Sequence, residues 1–448
     1  MKRENFNSKF GVLAAAAGSA IGLGNIWKFP YITGKNGGAA FILVYIFCII
    51  LIGTPVMISE LVIGRKSQSN SAGAFKVLKP KSKWYLSGYL AVFTSFVILS
   101  FYSIIAGWVC AYLSRSVTGK LLTVVPDKLG SYFTSLAGST YEVLFWNLIV
   151  IFLTAFIVIA GIQKGIEKYT KILMPLLLVT LIILMFRSVT LEGASKGLEF
   201  LFKPDFSKLT AGSVLEALGH AFYSLSLGMG IIITYGSYMN KEENLVSLSF
   251  QVITADTVIA LMAGVVIFPA VFAFGFEPQS GPSLIFITLP AVFQSIPFGA
   301  FFESIFFLLV GIAAITSTIS LLEVSVSFLT EEFKMERKKA TIILAAGVLL
   351  LSVPSTLSFG VLSDVSVFGL SIFDLFDFIA SYIFLPIGGI AVCLFVGWAW
   401  NSEDLINEIT SDGAYPFKGY KVYRFIIKYI APVAIMFIFL YSTGILKL

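Results

Sequence analysis

Eleven apolar segments, each of about the length that spans a bilayer, constrain this fold more than any other feature of the sequence. Hydrophobic residues make up 57% of the 448 residues and charged residues only 12%, whereas soluble domains have about 25% charged residues. The sequence therefore predicts an all-α polytopic membrane protein with 11 transmembrane helices. The predicted spans are residues 10–32, 40–64, 86–113, 143–162, 170–187, 214–237, 247–275, 299–329, 340–354, 367–398 and 424–443.

Other features of the composition narrow the class further. Cys48, Cys110 and Cys393 all lie in apolar stretches, so a disulfide framework is not expected. The net charge of +6 reflects basic loops on one side of the membrane and implies no nucleic-acid partner. The N-terminal "MKRENFNSK" leads into a full-length apolar segment without a small-residue cleavage site, so no cleavable signal peptide is expected. The proline-broken stretch 280–297 is predicted to be a re-entrant or surface-lying loop.

Lysine and arginine in the short loops predict the orientation of the chain. Loops 65–83 and 330–339 are rich in basic residues, whereas loops 276–298 and 355–366 have none. Both basic loops fall on the side of the N-terminus if eleven spans alternate, so we expect a cytoplasmic N-terminus and an external C-terminus. The basic residues of these loops are Arg65, Lys66, Lys76, Lys79, Lys81, Lys83, Lys334, Arg337, Lys338 and Lys339.

Two predicted spans are interrupted by small residues near their centres. The first contains "AGSAIGLGN" (17–25) and the sixth contains "SLSLGMGI" (224–231), each with a Gly-x-Gly sequence. Glycine is common in membrane helices because it permits close packing, but the two patches lie five helices apart, as a 5+5 inverted repeat with discontinuous helices 1 and 6 requires. We expect a single domain, 1–448, that consists of two repeats and an extra helix. These lie at about 10–187, 214–398 and 424–443.

A helix that breaks at mid-membrane leaves backbone groups unpaired, which is unfavourable unless something binds there. Half-helix N-termini favour an anion, and freed carbonyls favour a cation. The breaks therefore predict a site for a small carboxylate-bearing ligand together with hard monovalent cations. In "AAITSTIS", Thr316, Ser317 and the Ala313 carbonyl are candidate oxygen ligands for an alkali ion. The alternative is that both hydroxyls bond back to the preceding turn.

Ionisable side chains inside the predicted spans are further candidates, because such groups are unfavourable in a bilayer and usually functional. For Asp374 and Asp377, an ordinary helix start is an equal alternative, since carboxylates favour helix N-termini. An intramembrane enzyme that uses these two as paired carboxylates is disfavoured, because the chain has one histidine and no nucleophile–base constellation. We therefore expect a protein that is not an enzyme. The intramembrane ionisable residues are Glu60, His220, Asp256, Glu323, Asp374 and Asp377.

The stretch "GSAIGLGNIWKFPYITGKNGGAAF" strongly resembles the first-helix signature of the neurotransmitter:sodium symporter family. "KGIEKYTKILMP", "FYSLSLGMGIIITYGSY" and "ITSTISLLE" are similar to its fifth-, sixth- and eighth-helix segments. The resemblance runs from about Arg3 to about Gly397 and is greatest to the bacterial amino-acid branch, which has eleven spans and no extracellular cysteine pair. It implies a leucine-transporter fold and a sodium-coupled amino-acid transporter of the bacterial cytoplasmic membrane. Membrane lipid and an amino-acid substrate are then its partners, with no obligatory protein partner.

The resemblance also implies binding residues, carried over by matching positions. Gly24 stands where monoamine transporters have an aspartate, so the carboxylate must come from the ligand, which favours an α-amino acid. The first of two expected Na⁺ ions would be bound by the substrate carboxylate, Ala20, Asn25, Ser224 and Asp256. The second would be bound by Gly18, Ile21, Ala313, Thr316 and Ser317. The substrate would be held by Ser19, Ala20, Leu23, Gly24, Ile98, Tyr102, Tyr223, Ser224, Ser226, Met229, Ser317 and Leu321.

An outer gate is implied in the same way. Lys28 and Asp377 are similar to the family's ion pair, with Lys in place of the usual Arg, and because Lys lacks the bidentate fork this pair should break more easily. Tyr102, expected to bond the substrate carboxylate, and Tyr223 resemble the aromatic lid. His220 replaces an amide next to this gate. It is either a packing residue or a group that titrates near neutrality and tunes closure.

An inner gate is implied between Arg3 and Glu331. Phe6, Ser237 and Tyr238 would brace it. Gly165 and Pro175 match the Gly–Pro pair of the family's fifth helix, and Pro175 removes one helical hydrogen bond there. Local unwinding at this point would let water reach the second sodium.

Asp256 departs from the family pattern, because this sodium-site position is commonly Asn. Chloride-dependent relatives need an anion near this point to offset the charge of sodium. A fixed carboxylate supplies that charge, so we expect transport that is independent of chloride.

The pocket side chains predict the substrate class. Ile98, Met229, Leu321 and Tyr223 are mostly apolar, and Met adapts to ligands of different size. The expected function is a sodium-coupled symporter that imports a hydrophobic or aromatic L-amino acid by alternating access. The alternative is a sodium-independent exchanger or a non-transporting amino-acid sensor on the same fold. The polar pair at 316–317 and the carboxylate at 256 argue against that alternative.

Overall fold

The computed structural model describes residues 4–275 and 284–446, and this part of the chain is almost wholly helical. Within it, nine helices are long and apolar enough to cross a membrane, and the bent pair α1 and α2 brings the number to ten if it is one span. The protein is therefore an all-helical polytopic membrane protein. In chain order the helices are α1 Lys9–Ala20, α2 Gly24–Lys35, α3 Ala39–Ser67, α4 Ser71–Leu78, α5 Tyr85–Val117, α6 Leu129–Gly138, α7 Thr140–Ile159, α8 Ile162–Val189, α9 Ala194–Phe202, α10 Ala211–Ser224, α11 Ile231–Gly236, α12 Leu245–Ala273, α13 Leu284–Gln294, α14 Gly299–Glu332, α15 Arg337–Leu357, α16 Ile372–Ala399, α17 Ser402–Ile409 and α18 Tyr420–Ser442.

The two helices α5 and α14 form the centre of the molecule. Both are apolar on all sides, as expected for helices that other helices enclose, and most of each is buried. They pack directly on each other, with the ring centroids of Tyr112 and Phe307 5.1 Å apart. Tyr102 on α5 and Ser317 on α14 are thereby held rigidly where the interrupted helices pass.

The predicted sixth span, 214–237, is divided in two. It forms α10 and α11, which are separated by the non-helical residues 225–230, so neither half has the length of a span. This division accounts for the difference between eleven predicted segments and ten spans of the described chain, and the bend between α1 and α2 accounts for the count of nine.

The stretch 280–297 differs from its prediction as a re-entrant or surface-lying loop. Its residues Leu284–Gln294 form the short helix α13, whose side chains Leu284, Ile285 and Phe286 are buried against the rest of the protein. Hydrophobic packing of this run against neighbouring helices outweighs Pro290, which lies where the π-helical residues Leu284–Thr288 join the regular helical residues Leu289–Gln294. Residues 276–283 lie outside the described part of the chain.

The basic stretch 65–83 is also more ordered than a loop. Arg65 belongs to α3, is fully buried, and donates hydrogen bonds to Glu408 Oε1 (2.7 Å) and to the Glu243 carbonyl (2.5 Å). Asn70 then caps α4, since its side chain accepts from the backbone of Ala72 and Gly73. Arg65, which the sequence analysis placed in a loop, thus forms a buried ion pair with Glu408 that links α3 to α17.

Candidate functional site

The first helix break lies between α1 and α2, whose axes differ by 49°. Residues Ile21 and Gly22 leave the helical path, which frees backbone N–H groups in the interior. The N–H of Gly22 donates to Asn25 Oδ1 (3.1 Å), and the N–H of Leu23 donates to the hydroxyl of Tyr102 (3.1 Å). Two side chains therefore satisfy the N–H groups that this break exposes, as buried polar groups require.

The second break lies between α10 and α11. Ser226, Gly228 and Gly230 have positive φ angles of 55°, 79° and 79°, a conformation that ends the helix. The N–H of Gly228 donates to Glu60 Oε1 (2.7 Å), and the carbonyl of Gly230 accepts from the Ser71 hydroxyl (2.9 Å). Side chains from α3 and α4 thus stabilise this break, and Glu60 acquires a structural role that its local sequence did not indicate.

The two breaks meet. The Ser19 hydroxyl donates to the Ser226 hydroxyl (3.2 Å), which in turn donates to the Ser19 carbonyl (3.1 Å). A Cβ on Gly24 would lie 3.5 Å from the Tyr223 ring, in ordinary van der Waals contact, so Gly24 lies directly beside this ring.

A small cavity of about 30 Å³, here named the central cavity, lies at this meeting point. Of the predicted substrate residues, all line it except Leu23, which lines a neighbouring cavity. Gly22 and Ile231 also line it and were not predicted. Most ligand pockets are roughly 300–1,000 Å³, so an amino acid with a large side chain needs these walls to move apart. The lining residues are Ser19, Ala20, Gly22, Gly24, Ile98, Tyr102, Tyr223, Ser224, Ser226, Met229, Ile231, Ser317 and Leu321.

The residues predicted for the first sodium surround the buried carboxylate of Asp256. Asp256 Oδ1 accepts from Asn25 Nδ2 (2.7 Å) and from the Ser224 hydroxyl (2.9 Å). Tyr45, which sequence reasoning missed, donates its hydroxyl to Asp256 Oδ2 (3.4 Å). No local spacing relates Tyr45 to Asp256, because the contact joins α3 to α12. The carboxyl group of Asp256 is thus held between residues of the two breaks by neutral donors.

Three of the five residues predicted for the second sodium, Ala313, Thr316 and Ser317, lie on α14, whereas Gly18 and Ile21 lie at the end of α1. The Thr316 hydroxyl donates to the carbonyls of Ile312 and Ala313 (both 3.1 Å), and the Ser317 hydroxyl donates to Ala313 (3.2 Å). Both hydroxyls therefore bond back to carbonyls of the preceding turn, as the alternative interpretation of these residues expected. The same geometry gathers three oxygens on one helical turn. Gly18 lies opposite, since a Cβ there would be 3.6 Å from Thr316 Cβ.

The residues predicted to form the outer gate line a second cavity of about 210 Å³, here named the outer cavity, which adjoins the central cavity. In residues 4–275 and 284–446, Lys28 and Asp377 make no ion pair within 4 Å. Lys28 Nζ instead lies 4.4 Å from the Tyr223 ring centroid, and Asp377 accepts from the Ser381 hydroxyl (2.6 Å). Asp374 lies in the first turn of α16, where its backbone N–H donates to the hydroxyl of the capping residue Ser371. This position agrees with the alternative that Asp374 belongs to an ordinary helix start.

The structure describes only part of the predicted inner gate, because Arg3 lies outside the described residues. Glu331 accepts from the backbone and side chain of Asn70 (2.6 and 3.1 Å). Tyr238 donates its hydroxyl to Glu323 Oε1 (2.7 Å), and Arg337 forks onto the same carboxylate. The N–H of Phe6 donates to the Tyr238 carbonyl (3.1 Å), so the N-terminal residues are tied to the end of α11.

A second tie joins the N-terminal residues to α8. Glu167 is buried and accepts from the backbone N–H of Asn7 (2.8 Å), the hydroxyl of Ser8 (3.0 Å) and Lys171 Nζ (2.5 Å). It lies in the π-helical stretch Ile162–Glu167, which includes Gly165. The helix α8 is continuous through Gly165 and Pro175, so the local unwinding expected there stays a prediction.

His220 is buried next to the outer gate. Its ring stacks on Phe29 at 5.9 Å and lies 5.4 Å from the Tyr45 ring. Neither ring nitrogen has a hydrogen-bond partner among the residues that the structure describes. These ring contacts support a packing role for His220.

Comparison with known proteins identifies the family. The model of the sodium:neurotransmitter symporter family matches residues 3–124 and 136–447. An uncharacterized sodium-dependent transporter of Bacillus subtilis (strain 168), YhdH, is 39% identical over 440 residues, 98% of each chain. A second, from Haemophilus influenzae, is 38% identical over 450 residues and also covers 98% of each chain.

A solved structure shares the fold along nearly the whole chain. The crystal structure of MhsT in complex with L-phenylalanine matches with a TM-score of 0.91 and 46% sequence identity, over 98% of this chain and 100% of that one. The first-helix resemblance is thereby confirmed. The chain belongs to the sodium:neurotransmitter symporter family and is a sodium-dependent transporter of that family, not an enzyme.

Proposed function

We propose that this protein is a sodium-coupled symporter that imports a hydrophobic or aromatic L-amino acid. One observation carries the proposal: two interrupted helices meet at the central cavity, beside a buried carboxylate and a turn with three clustered oxygens. Freed backbone groups and hydroxyls at mid-membrane suit a zwitterionic ligand with alkali ions. The family membership and the sodium-dependent relatives agree with this chemistry.

Two sodium ions bind in this proposal. The first is held by Asn25, Ser224, Asp256, the Ala20 carbonyl and the carboxylate of the substrate. The substrate is thus itself a sodium ligand, so each binds more tightly in the presence of the other, which is the origin of coupling. The second ion is held by Thr316 and Ser317 with the carbonyls of Gly18, Ile21 and Ala313.

The apolar lining of the central cavity supports the substrate class. Ile98, Ile231, Leu321 and Met229 offer no charged group to a side chain. The structural relative MhsT was crystallised with L-phenylalanine. We therefore propose phenylalanine and similarly large apolar amino acids as substrates, with Tyr102 donating its hydroxyl proton to the substrate carboxylate.

Transport proceeds by alternating access in this proposal. The halves α10 and α11 cross the membrane together as an eleventh span, and the chain forms a 5+5 inverted repeat of about 10–187 and 214–398 with α18 outside it. Sodium stabilises the outward-facing state, substrate closes the outer gate of Lys28 and Asp377, and sodium release opens the inner path. The separated outer pair and the tied N-terminal residues are the arrangement expected of an outward-facing state.

Uptake by purified protein tests the function. Proteoliposomes should accumulate labelled phenylalanine when a sodium gradient is present and lose that uptake in its absence, in a screen that includes all twenty amino acids. Uptake that is equal without sodium indicates the exchanger. Binding without uptake indicates the sensor.

Chloride independence is tested at Asp256. Wild-type uptake should be unchanged when gluconate replaces chloride, because the carboxylate offsets the charge of sodium. Asp256→Asn removes that charge and should weaken sodium activation by at least about tenfold, since an ion pair near 4 Å is worth about 4 kcal/mol at an effective dielectric of 20. The sodium concentration for half-maximal uptake is the measurement. A strong loss of wild-type uptake in gluconate would refute the assignment.

A further inference from the structure

Glu303 on α14 is a buried carboxyl group that has no role in the proposed transport cycle. It is 0% exposed, and neither of its carboxyl oxygens has a hydrogen-bond partner among the residues that the structure describes. Ser317 lies about 21 Å farther along the same helix, so Glu303 belongs to neither proposed sodium site. A buried carboxyl group without a donor is unfavourable, and it therefore needs a partner that these side chains do not supply.

A tyrosine hydroxyl on α5 lies near this carboxyl group and is also unpartnered. Tyr112 is 0% exposed, its hydroxyl has no hydrogen-bond partner in the described part of the chain, and it lies within electrostatic range of Glu303. Its ring packs on Phe307, one turn of α14 from Glu303. Two oxygens that share an ion lie farther apart than two oxygens that share a proton. Neighbouring oxygens that do not bond to each other are therefore the arrangement expected around an ion.

Two serine hydroxyls adjoin the same carboxyl group, but their protons are already used. Ser304 donates to the Ala300 carbonyl (2.7 Å), so Ser116 on α5 is the donor in its hydrogen bond to Ser304 (2.9 Å). Ser116 also lies beside the carboxyl group of Glu303. Neither serine has a proton left for Glu303, whereas the lone pairs of the Ser116 oxygen can still contact a cation.

The charges of this cluster leave it one positive charge short. The basic side chain beside it, Arg115, forms an ion pair with Glu142 and stacks on the Tyr132 ring, 5.0 Å from the ring centroid. Arg115 and Glu142 offset each other, so the ionised carboxylate of Glu303 leaves a net charge of −1. One monovalent cation balances this charge. A divalent cation would leave an excess positive charge beside Arg115.

We propose that this cluster binds a sodium ion that is separate from the two ions of the proposed transport cycle. Carboxylate and hydroxyl oxygens suit a hard cation, and the cluster offers no nitrogen or sulfur ligand. The ion joins the C-terminal end of α5 to the N-terminal end of α14. Its ligands are the side-chain oxygens of Glu303, Tyr112, Ser116 and Ser304.

Counting bound sodium tests this site. Purified protein in nanodiscs is equilibrated with radioactive sodium at saturating concentration, without an amino acid. Glu303→Gln should bind one sodium ion fewer per protein than the wild type. Equal binding would mean that Glu303 is protonated or pairs with Arg115, whose Nη1 is also unpartnered among the described residues, and would overturn the proposal. Because the ions are counted directly, the result is decisive even if the protein transports nothing.

A second variant removes one ligand oxygen at nearly constant volume. Tyr112→Phe should raise the dissociation constant of one sodium ion per protein by at least about tenfold, since a contact to a charged partner is worth about 1.5–3 kcal/mol. Tyr423→Phe is the matched control, because Tyr423 is 2% exposed and its hydroxyl bonds to Ser59, away from the cluster. If Glu303→Gln fails to fold, Tyr112→Phe decides alone. Sodium affinity equal to that of Tyr423→Phe contradicts the site.

Discussion

At the residue scale, two hydroxyls share one acceptor. Thr316 and Ser317 both donate to the Ala313 carbonyl, at 3.1 and 3.2 Å. A sodium ion bound to all three oxygens replaces these weak hydrogen bonds with ion–oxygen contacts. The hydroxyls therefore matter little for the stability of α14 and greatly for the proposed second ion.

The first prediction removes one of these oxygens at nearly constant volume. Thr316→Val should raise the sodium concentration for half-maximal uptake by about tenfold or more, because a hydrogen bond or contact to a charged partner is worth about 1.5–3 kcal/mol. Sodium titration of phenylalanine uptake measures this. Thr318→Val is the matched control: Thr318 is equally buried but bonds to Ile315 and Thr154. An equal sodium effect in both variants would contradict the assignment.

Single residues also show where sequence reasoning stops. Asp256 was identified because a carboxylate inside an apolar run stands out locally. Its partner Tyr45 and the role of Glu60 at Gly228 were not, since both contacts join helices far apart in the chain. A tyrosine in an apolar segment has no spacing that reveals such a partner.

At the element scale, the break between α10 and α11 depends on a glycine pressed against another helix. Gly228 has φ +79°, and a Cβ there would lie 2.6 Å from the Leu385 carbonyl. The backbone of α16 thus approaches the break more closely than any other residue type permits. The break between α10 and α11 is therefore tightly packed against α16.

Gly228→Ala should therefore abolish uptake and lower the melting temperature. The left-handed conformation alone costs alanine about 1–2 kcal/mol, and the overlap with the carbonyl adds to it. Gly369→Ala is the matched control, because Gly369 also has φ +79° but a Cβ there meets nothing within 4 Å. Thermal unfolding and uptake of both variants are compared. Equal behaviour would show that the close approach is unimportant.

A second prediction at this scale concerns the tie between the N-terminal residues and α8. Glu167→Gln weakens three hydrogen bonds to a buried carboxylate, so residues 4–8 and 162–167 should exchange backbone hydrogens faster. Hydrogen–deuterium exchange measures the change. Glu199→Gln removes a similar i,i+4 pair with Lys203 on an exposed surface and should alter exchange little. No acceleration in Glu167→Gln would contradict the tie.

The elements themselves were predicted unequally. The two breaks were found because glycine weakens a helix wherever it stands. The short helix α13 was not, since its prolines argued for a loop and only the packing of Phe286 against Tyr112 and Phe133 outweighs them. The residues that end a helix can be recognised from the local sequence. The residues that pack against an apolar segment cannot, because they come from distant parts of the chain.

At the scale of the whole molecule, the count of spans decides the topology. If α10 and α11 cross together, eleven spans separate the termini, which then lie on opposite sides of the membrane. The basic loops predict that the N-terminus is the cytoplasmic one. Alkaline phosphatase fused after residue 448 should be active in intact bacteria, because it folds only outside the cytoplasm. A fluorescent protein at the N-terminus should fluoresce in the same cells. An inactive C-terminal phosphatase would indicate an even number of spans.

The small central cavity has a consequence for selectivity. Since about 30 Å³ does not hold a phenylalanine side chain, a large substrate has to move the walls apart, and the cost of doing so grows with the size of its side chain. The proposed preference for large apolar substrates then requires that contact between the side chain and the apolar walls outweighs this cost. Enlarging the cavity by a substitution such as Leu321→Ala should therefore favour large substrates over small ones.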